Sequence, residues 1–176
     1  MAKRKVFLVD DDPMQTQMLK DHLNQKLNVD VLTFTTGEDC LANIDQNPEA
    51  IVLDYHLSSV DKSAQNGIDI LQKIKKVNSD IEVIMLSGQD KIEVAVETMR
   101  HGAFDYIIKN ESAFLRAENI LLNIFKGLRL QENLKNYKKA VMFLSLGIIV
   151  IIALAAVLYI TGIGGDSQVG LILEPK

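Results

Sequence analysis

The sequence has no tryptophan and a single cysteine, Cys40, among its 176 residues. One thiol cannot close an intramolecular disulfide, so nothing here suggests a stapled secreted module. Neither C-x-x-C nor H-E-x-x-H occurs, which makes zinc chemistry a poor expectation. Positive charge is also short. The 19 Lys and Arg against 23 Asp and Glu leave a formal net charge of -4, with a pI near 5.4. A nucleic-acid-binding domain needs a basic face, so DNA and RNA are not expected partners. The length suits one domain with a short appendage. Apolar residues are abundant, and a mean hydropathy of +0.11 is high beside 24% charged residues. Such an average implies that the apolar residues are unevenly distributed.

They concentrate near the C-terminal end. Residues 140–160, AVMFLSLGIIVIIALAAVLYI, carry no charge, and this length matches the ~20 residues that span a bilayer as a helix. About thirteen of them are Leu, Ile, Val or Phe, which at roughly -0.3 to -0.6 kcal/mol each gives about -4 to -8 kcal/mol for insertion. A buried core helix is the plainer account, but six turns without a charge fit a membrane better. The position in the chain also excludes a cleaved signal peptide. Lys135, Lys138 and Lys139 precede the run, and no Lys or Arg follows it until Lys176. The positive-inside rule then leaves the N-terminal part in the cytoplasm, with a single-pass anchor in the inner membrane and the C-terminus outside. The expected divisions are a domain over 1–125, a basic juxtamembrane helix or linker over 126–139, a transmembrane helix over 140–162 and a short external tail over 163–176.

The bridge holds Lys126, Arg129, Lys135, Lys138 and Lys139 against Glu132 alone. Cations so placed are attracted to anionic lipid headgroups, though a solvated helix face accounts for them equally well. Leu121, Ile124, Leu128 and Leu134 lie near helical spacing, but Gly127 interrupts them, too irregularly for a coiled coil. Gly147, Ala153 and Ala156 could pack a helix pair, and a homodimer stays open on that account.

The first 125 residues alternate between two periodicities. Short apolar runs at 5–9, 31–35, 50–53, 81–86 and 105–108 read as buried strands. Between them, helical patterns occupy 13–27, 37–46, 67–76 and 91–101, with a fifth from 112 onward. Asp12 followed by Pro13 is a helix cap with proline at the first helical position. Five strands alternating with five helices make an α/β fold, a doubly wound parallel sheet covered on both faces. Met14, Met18, Met85 and Met99 are read most simply as core residues.

In such a sheet the ligand site lies beyond the carboxyl ends of the strands, where strand order reverses. Those ends deliver Asp10 and Asp11 from the first strand, Asp54 from the third, Ser87 from the fourth and Lys109 from the fifth. Three carboxylates close together repel unless a cation sits among them. Hard oxygen ligands of this kind point to Mg2+, which keeps positions open for phosphate oxygens.

Here the sequence resembles the receiver domains of two-component response regulators. The matching stretches, KVFLVDDDP, AIVLDYHL, NGIDILQKIK, IEVIMLSG and GAFDYIIK, cover residues 3 to about 125. The resemblance implies a flavodoxin-like (βα)5 sheet of order 2-1-3-4-5. It implies that Asp54 accepts a phosphoryl group from a histidine kinase or phosphotransfer protein. Asp10 and Asp11 would hold Mg2+ together with Asp54 and the main-chain carbonyl of His56. Ser87 and Lys109 would each bond a phosphoryl oxygen, and Tyr106 would be an aromatic switch coupled to Ser87. His56 and Gln89 occupy the positions that tune autodephosphorylation in the family.

Plainer readings stand beside these roles. Asp12 is more simply a cap than a ligand, and Tyr106 a half-buried strand aromatic; the His56 ring could act as a general base, but its main-chain carbonyl is the greater expectation. The family pattern is also broken in places. Asn110 follows Lys109 where the family usually has a proline after a cis bond, so Lys109 could be aimed differently. Ser58 replaces a usual proline, and the loop after it is longer and more polar than typical.

Two other functions compete. Asp10 and Asp12, then Ser87 and Lys109, resemble the motif order of haloacid-dehalogenase-type phosphatases, with Asp10 as nucleophile, but that leaves Asp54 unexplained. A non-phosphorylated adaptor of the same fold is the other. The receiver reading makes the chain a phosphoacceptor rather than an enzyme. The fifth helix leads into the apolar run with no room for a DNA-binding output domain, so its output is expected to pass to an unidentified downstream protein.

Overall fold

The computed structural model describes residues 3–57 and 66–161. In chain order the elements are β1 (Arg4–Val9), α1 (Pro13–Lys26), β2 (Val29–Phe34), α2 (Gly37–Ala42), β3 (Ala50–Asp54), α3 (Gly67–Val77), β4 (Glu82–Ser87), α4 (Ile92–Arg100), β5 (Asp105–Ile108) and α5 (Ala113–Thr161). The strands form one sheet of order β2-β1-β3-β4-β5, with every neighbouring pair parallel. This is the expected doubly wound order. Strand order reverses at β1, which pairs with β2 on one side and β3 on the other.

Alternation along each strand divides the core in two. Val6 and Leu8 of β1, Val52 of β3 and Ile84 and Leu86 of β4 pack with Leu19 and Leu23 of α1 and with Ala117, Leu121 and Ile124 of α5. Phe7, Val9, Ile51, Leu53, Val83 and Met85 face the other way, onto Ile70, Leu71 and Ile74 of α3. Each large side chain buried in this way contributes about 1.5–3 kcal/mol. Because both faces of the sheet are covered, the strands read as continuous apolar runs rather than alternating ones.

Side-chain caps set the helix starts. The Asp12 carboxylate accepts the N–H groups of Met14 and Gln15 at 2.9 and 3.2 Å, with Pro13 in the first turn. Thr36 and Asn66 cap α2 and α3 through the N–H groups of Asp39 and Asp69.

Three expectations need correction. Met85 is fully buried, but Met14, Met18 and Met99 are 73%, 56% and 47% exposed. The inward face of α1 is set by Thr16, Leu19 and Leu23, and Met14 and Met18 fall outside that stripe. The second helix is also shorter than expected. It ends at Ala42, and a single 3-10 turn, Ile44–Gln46, finishes the segment before Asn47 takes a left-handed conformation with φ 52°. Finally, β2 begins at Val29, two residues before the expected strand, because Arg4 at the start of β1 pairs with it there.

By contacts the chain divides into two units, Met1–Leu128 and Arg129–Lys176. The first contains the sheet and the start of α5. In the second, the described residues 129–161 are helical, and all side chains over 129–160 are exposed. By length and composition this helix can cross a membrane. Ser58, the polar loop after it and the 163–176 tail lie outside the described residues.

Candidate functional site

The carboxyl ends of β1, β3, β4 and β5 bring the predicted residues together. Asp10, Asp11 and Asp54 offer carboxylate oxygens within 4.8 Å of one another. Asp54 is only 4% exposed, at the last position of β3, whereas Asp10 and Asp11 are half-buried in the turn after β1. Lys109 follows β5 and reaches across the sheet ends. Its Nζ donates to Asp10 Oδ2 at 2.8 Å and lies 3.1 Å from Asp54 Oδ1. The Lys109 backbone N–H is anchored to the Ser87 carbonyl at 2.7 Å, which extends the β4–β5 pairing to the site. The peptide bond to Asn110 is trans, and Lys109 still points into the carboxylates.

Asp10 is the most fully engaged of the three acids. One oxygen takes the Lys109 ammonium and the other accepts the Asp12 N–H at 2.9 Å. By contrast, among the described residues the buried Asp11 Oδ2 has no hydrogen-bond partner, and the buried Asp54 Oδ1 has only its ion pair with Lys109. Unpartnered buried carboxylate oxygens are expensive, and a small oxygen-seeking cation relieves them. Burial pushes the Asp54 carboxyl above the ordinary range, against the opposing pull of Lys109, and the Asp10 charge adds to the rise. For Lys109, burial alone would lower the ammonium. The hydrogen bond to Asp10 and the charges of Asp54 and Asp10 outweigh it and hold Lys109 above its usual value. Among the described residues, one lysine against three acids leaves the site short of positive charge.

Ser87 is fully buried at the end of β4, and its Oγ accepts the Gln89 N–H at 3.1 Å. Tyr106 of β5 is buried rather than half-buried, with its hydroxyl donating to the Gln89 carbonyl at 2.7 Å. Gln89 therefore ties the Ser87 loop to Tyr106 through its backbone. Its side-chain Nε2 lies 2.9 Å from His56 Nε2. The His56 ring is exposed and stands edge-on to Tyr55, at 4.8 Å and 90°. Asp12 is occupied as the α1 cap, and the backbone bonds from Gln15 and Met14 hold its carboxyl below the usual range.

Gly67, which the sequence alone marks only as a helix start, is a positioning residue. A Cβ there would stand 2.5 Å from the Asp54 carbonyl oxygen and 2.8 Å from Tyr55 Cα, both backbone atoms. The Gly67 N–H donates to the Tyr55 carbonyl at 3.0 Å, and the Tyr55 N–H donates to the Leu86 carbonyl at 2.8 Å. The first turn of α3 is thus clamped against the residue that carries the buried carboxylate. A glycine opening a helix is a usable signal for such a close approach.

Comparison with known proteins agrees with this fold. The family model described as the response regulator receiver domain matches residues 6–117. The luminescence regulatory protein LuxO of Vibrio campbellii is 28% identical over 130 residues, covering 73% of this chain and 26% of that protein. The chain therefore spans about a quarter of the length of this curated relative. The BeF3-activated DrrB receiver domain is similar in structure, with a TM-score of 0.57 and 30% identity over 68% of this chain and 97% of that one. The Francisella response regulator 1452 receiver domain superposes with a TM-score of 0.63 at 25% identity, covering 72% of this chain and 99% of its own.

Proposed function

The chain belongs to the response regulator receiver family, and from that premise we propose that it accepts a phosphoryl group on Asp54 from a histidine kinase or phosphotransfer protein. The observation that carries this reading is a nearly buried Asp54, ion-paired to Lys109, inside a cluster of three carboxylates. An Asp54 oxygen attacks the phosphorus of a phosphohistidine. A P–O bond forms as the P–N bond breaks, and the electron pair returns to the imidazole nitrogen. The product is an acyl phosphate, and the histidine is regenerated.

Receiver domains bind Mg2+ at an acidic pocket, and the residues present here fit it. Asp10, Asp11 and Asp54, with the His56 main-chain carbonyl, would hold the ion. It would supply the missing positive charge for the carboxylates and the incoming phosphoryl oxygens. Lys109 pairs with a second phosphoryl oxygen by turning from Asp54, while its bond to Asp10 keeps it in reach. Ser87 donates its hydroxyl to a third. That movement breaks the bond from the Gln89 N–H to Ser87 Oγ, and Gln89 also holds the Tyr106 hydroxyl. Phosphorylation then shifts a two-state equilibrium read by a downstream protein. His56 and Gln89, joined across the mouth of the site, set how water reaches the acyl phosphate.

The same reading places the protein in the inner membrane, anchored by the apolar helix over 140–160, with the sheet domain in the cytoplasm. The exposure of every side chain there and the cationic flank over 126–139 support it. Confinement to the bilayer raises the encounter rate with a membrane-bound kinase and favours output by protein contact.

The test uses the full chain in detergent with Mg2+ and a small acyl-phosphate donor, read by intact mass. The expected result is one added phosphoryl group in the natural sequence and none in Asp54→Asn. No addition with several donors and a cognate kinase would reject phosphoacceptance in favour of an adaptor of this fold. Retention in the membrane pellet through an alkaline carbonate wash checks the anchor separately.

A further inference from the structure

Between the sheet domain and the uncharged run, α5 crosses a polar segment, residues 129–139. Three large apolar residues lie in it, Leu130, Leu134 and Tyr137, and they are 64%, 59% and 69% exposed. Their spacing is four then three. Continuing four and three brings in Val141 and Leu144, also exposed. This is the 3.5-residue period of a supercoiled helix pair, with Leu130 and Tyr137 at d and Leu134 at a. It is a different face from the one that serves the fold, because Leu121 and Ile124 are buried against the sheet and Leu128 packs beside them.

We propose that Leu130, Leu134 and Tyr137 form the seam of a parallel homodimer, covered by the same residues of a second copy of this chain. The inference rests on the membrane anchoring proposed above. The charge pattern permits this partner. In the heptad that puts Leu134 at a, Arg129, Glu132, Lys135 and Lys139 fall at c, f, b and f, away from the seam. The residues that face each other across it are Asn133 at g and Lys138 at e, so no like charges meet there. Fewer than two heptads in water are too short to hold two free helices together. A bilayer span removes that obstacle for one partner in particular. It gives two copies the same orientation and depth, sets their seams in register and raises their effective concentration. A soluble peptide gains none of this. A dimer so held would bring two receivers together.

The experiment uses the full chain in native membranes, with one cysteine introduced at a time across positions 129–139. Cys40 is fully buried, which keeps the background low. Mild oxidation should give disulfide-linked dimers at Leu130→Cys, Leu134→Cys and Tyr137→Cys, several-fold more than at Glu132→Cys, Lys135→Cys or Lys139→Cys. Adding Leu134→Glu to Tyr137→Cys should abolish the dimer without releasing the chain from the membrane. Cross-linking that is uniform, absent or strongest on another face overturns the seam while the anchor stands. Release of the natural chain by alkaline carbonate overturns the anchor, and the parallel pairing with it.

Discussion

The contact between Gly67 and the end of β3 makes Gly67→Ala the most demanding test of the site geometry. The added Cβ would stand 2.5 Å from the Asp54 carbonyl oxygen, about 0.9 Å inside the 3.4 Å at which ordinary contact begins. Its second neighbour, Tyr55 Cα at 2.8 Å, is also backbone, so neither can swing aside. Only Met85 Cε, at 3.1 Å, is flexible. Relief therefore requires α3 and β3 to separate, and overpacking of this kind costs about 1–3 kcal/mol. For a domain of this size each kcal/mol moves the midpoint by roughly 3–5 °C, so the sheet domain should melt about 3–15 °C lower. Because the displaced backbone carries the Asp54 carboxylate, phosphorylation should slow as well, by up to about 100-fold for a shift near 1 Å. Calorimetry of the full chain in detergent reads the first effect, and the rate of mass gain reads the second. Gly127→Ala is the control. A Cβ there meets nothing within 4 Å, and alanine in a helix should hold or raise the midpoint. A Gly67→Ala protein that melts with the natural one and phosphorylates at the same rate would refute the close approach.

Three further outcomes follow from the same geometry. Mg2+ at about 100 times its dissociation constant should stabilise the domain by about 2.7 kcal/mol, and Asp11→Asn should remove most of that gain in a melting titration. Without Mg2+, the Asp54 carboxyl is raised in the fold, so the folded state holds its proton more tightly and stability falls as pH rises through the carboxylate range. Asp54→Asn should therefore melt above the natural chain at pH 7, with the gain fading as pH drops to about 4, near the unfolded carboxylate value; equal midpoints at pH 7 would contradict this. Burial pushes the Cys40 thiol up to about 12, so it should resist maleimide near pH 7.5 in the fold and label fully once the chain is denatured.

The order of strands and helices, and the acids at the strand ends, were readable in the sequence because both depend on local periodicity. A strand buried on both faces must be apolar throughout, and its last residue marks where the chain leaves the core, as at Val9–Asp10 and Asp54. The helix faces were less readable. Met14, Met18 and Met99 look like core side chains by type, but phase relative to Leu19 and Leu23, or to Thr98, decides which side they occupy.

Local pattern was enough to say which chemical groups could meet. It placed Asp10, Asp11, Asp54, Ser87 and Lys109 at the ends of parallel strands, and charge repulsion already called for a cation. How they meet depends on the three-dimensional packing of the strand ends. Lys109 bonds Asp10 and lies beside Asp54, Gln89 links Ser87 to Tyr106, and Gly67 presses against the Asp54 backbone. Most of these contacts join residues far apart in the chain, up to 99 positions for Lys109 and Asp10, beyond the reach of any local pattern. The same holds for α5. Its apolar residues look continuous in sequence, and packing alone separates Leu121 and Ile124, used by the core, from Leu130, Leu134 and Tyr137, which the fold leaves uncovered.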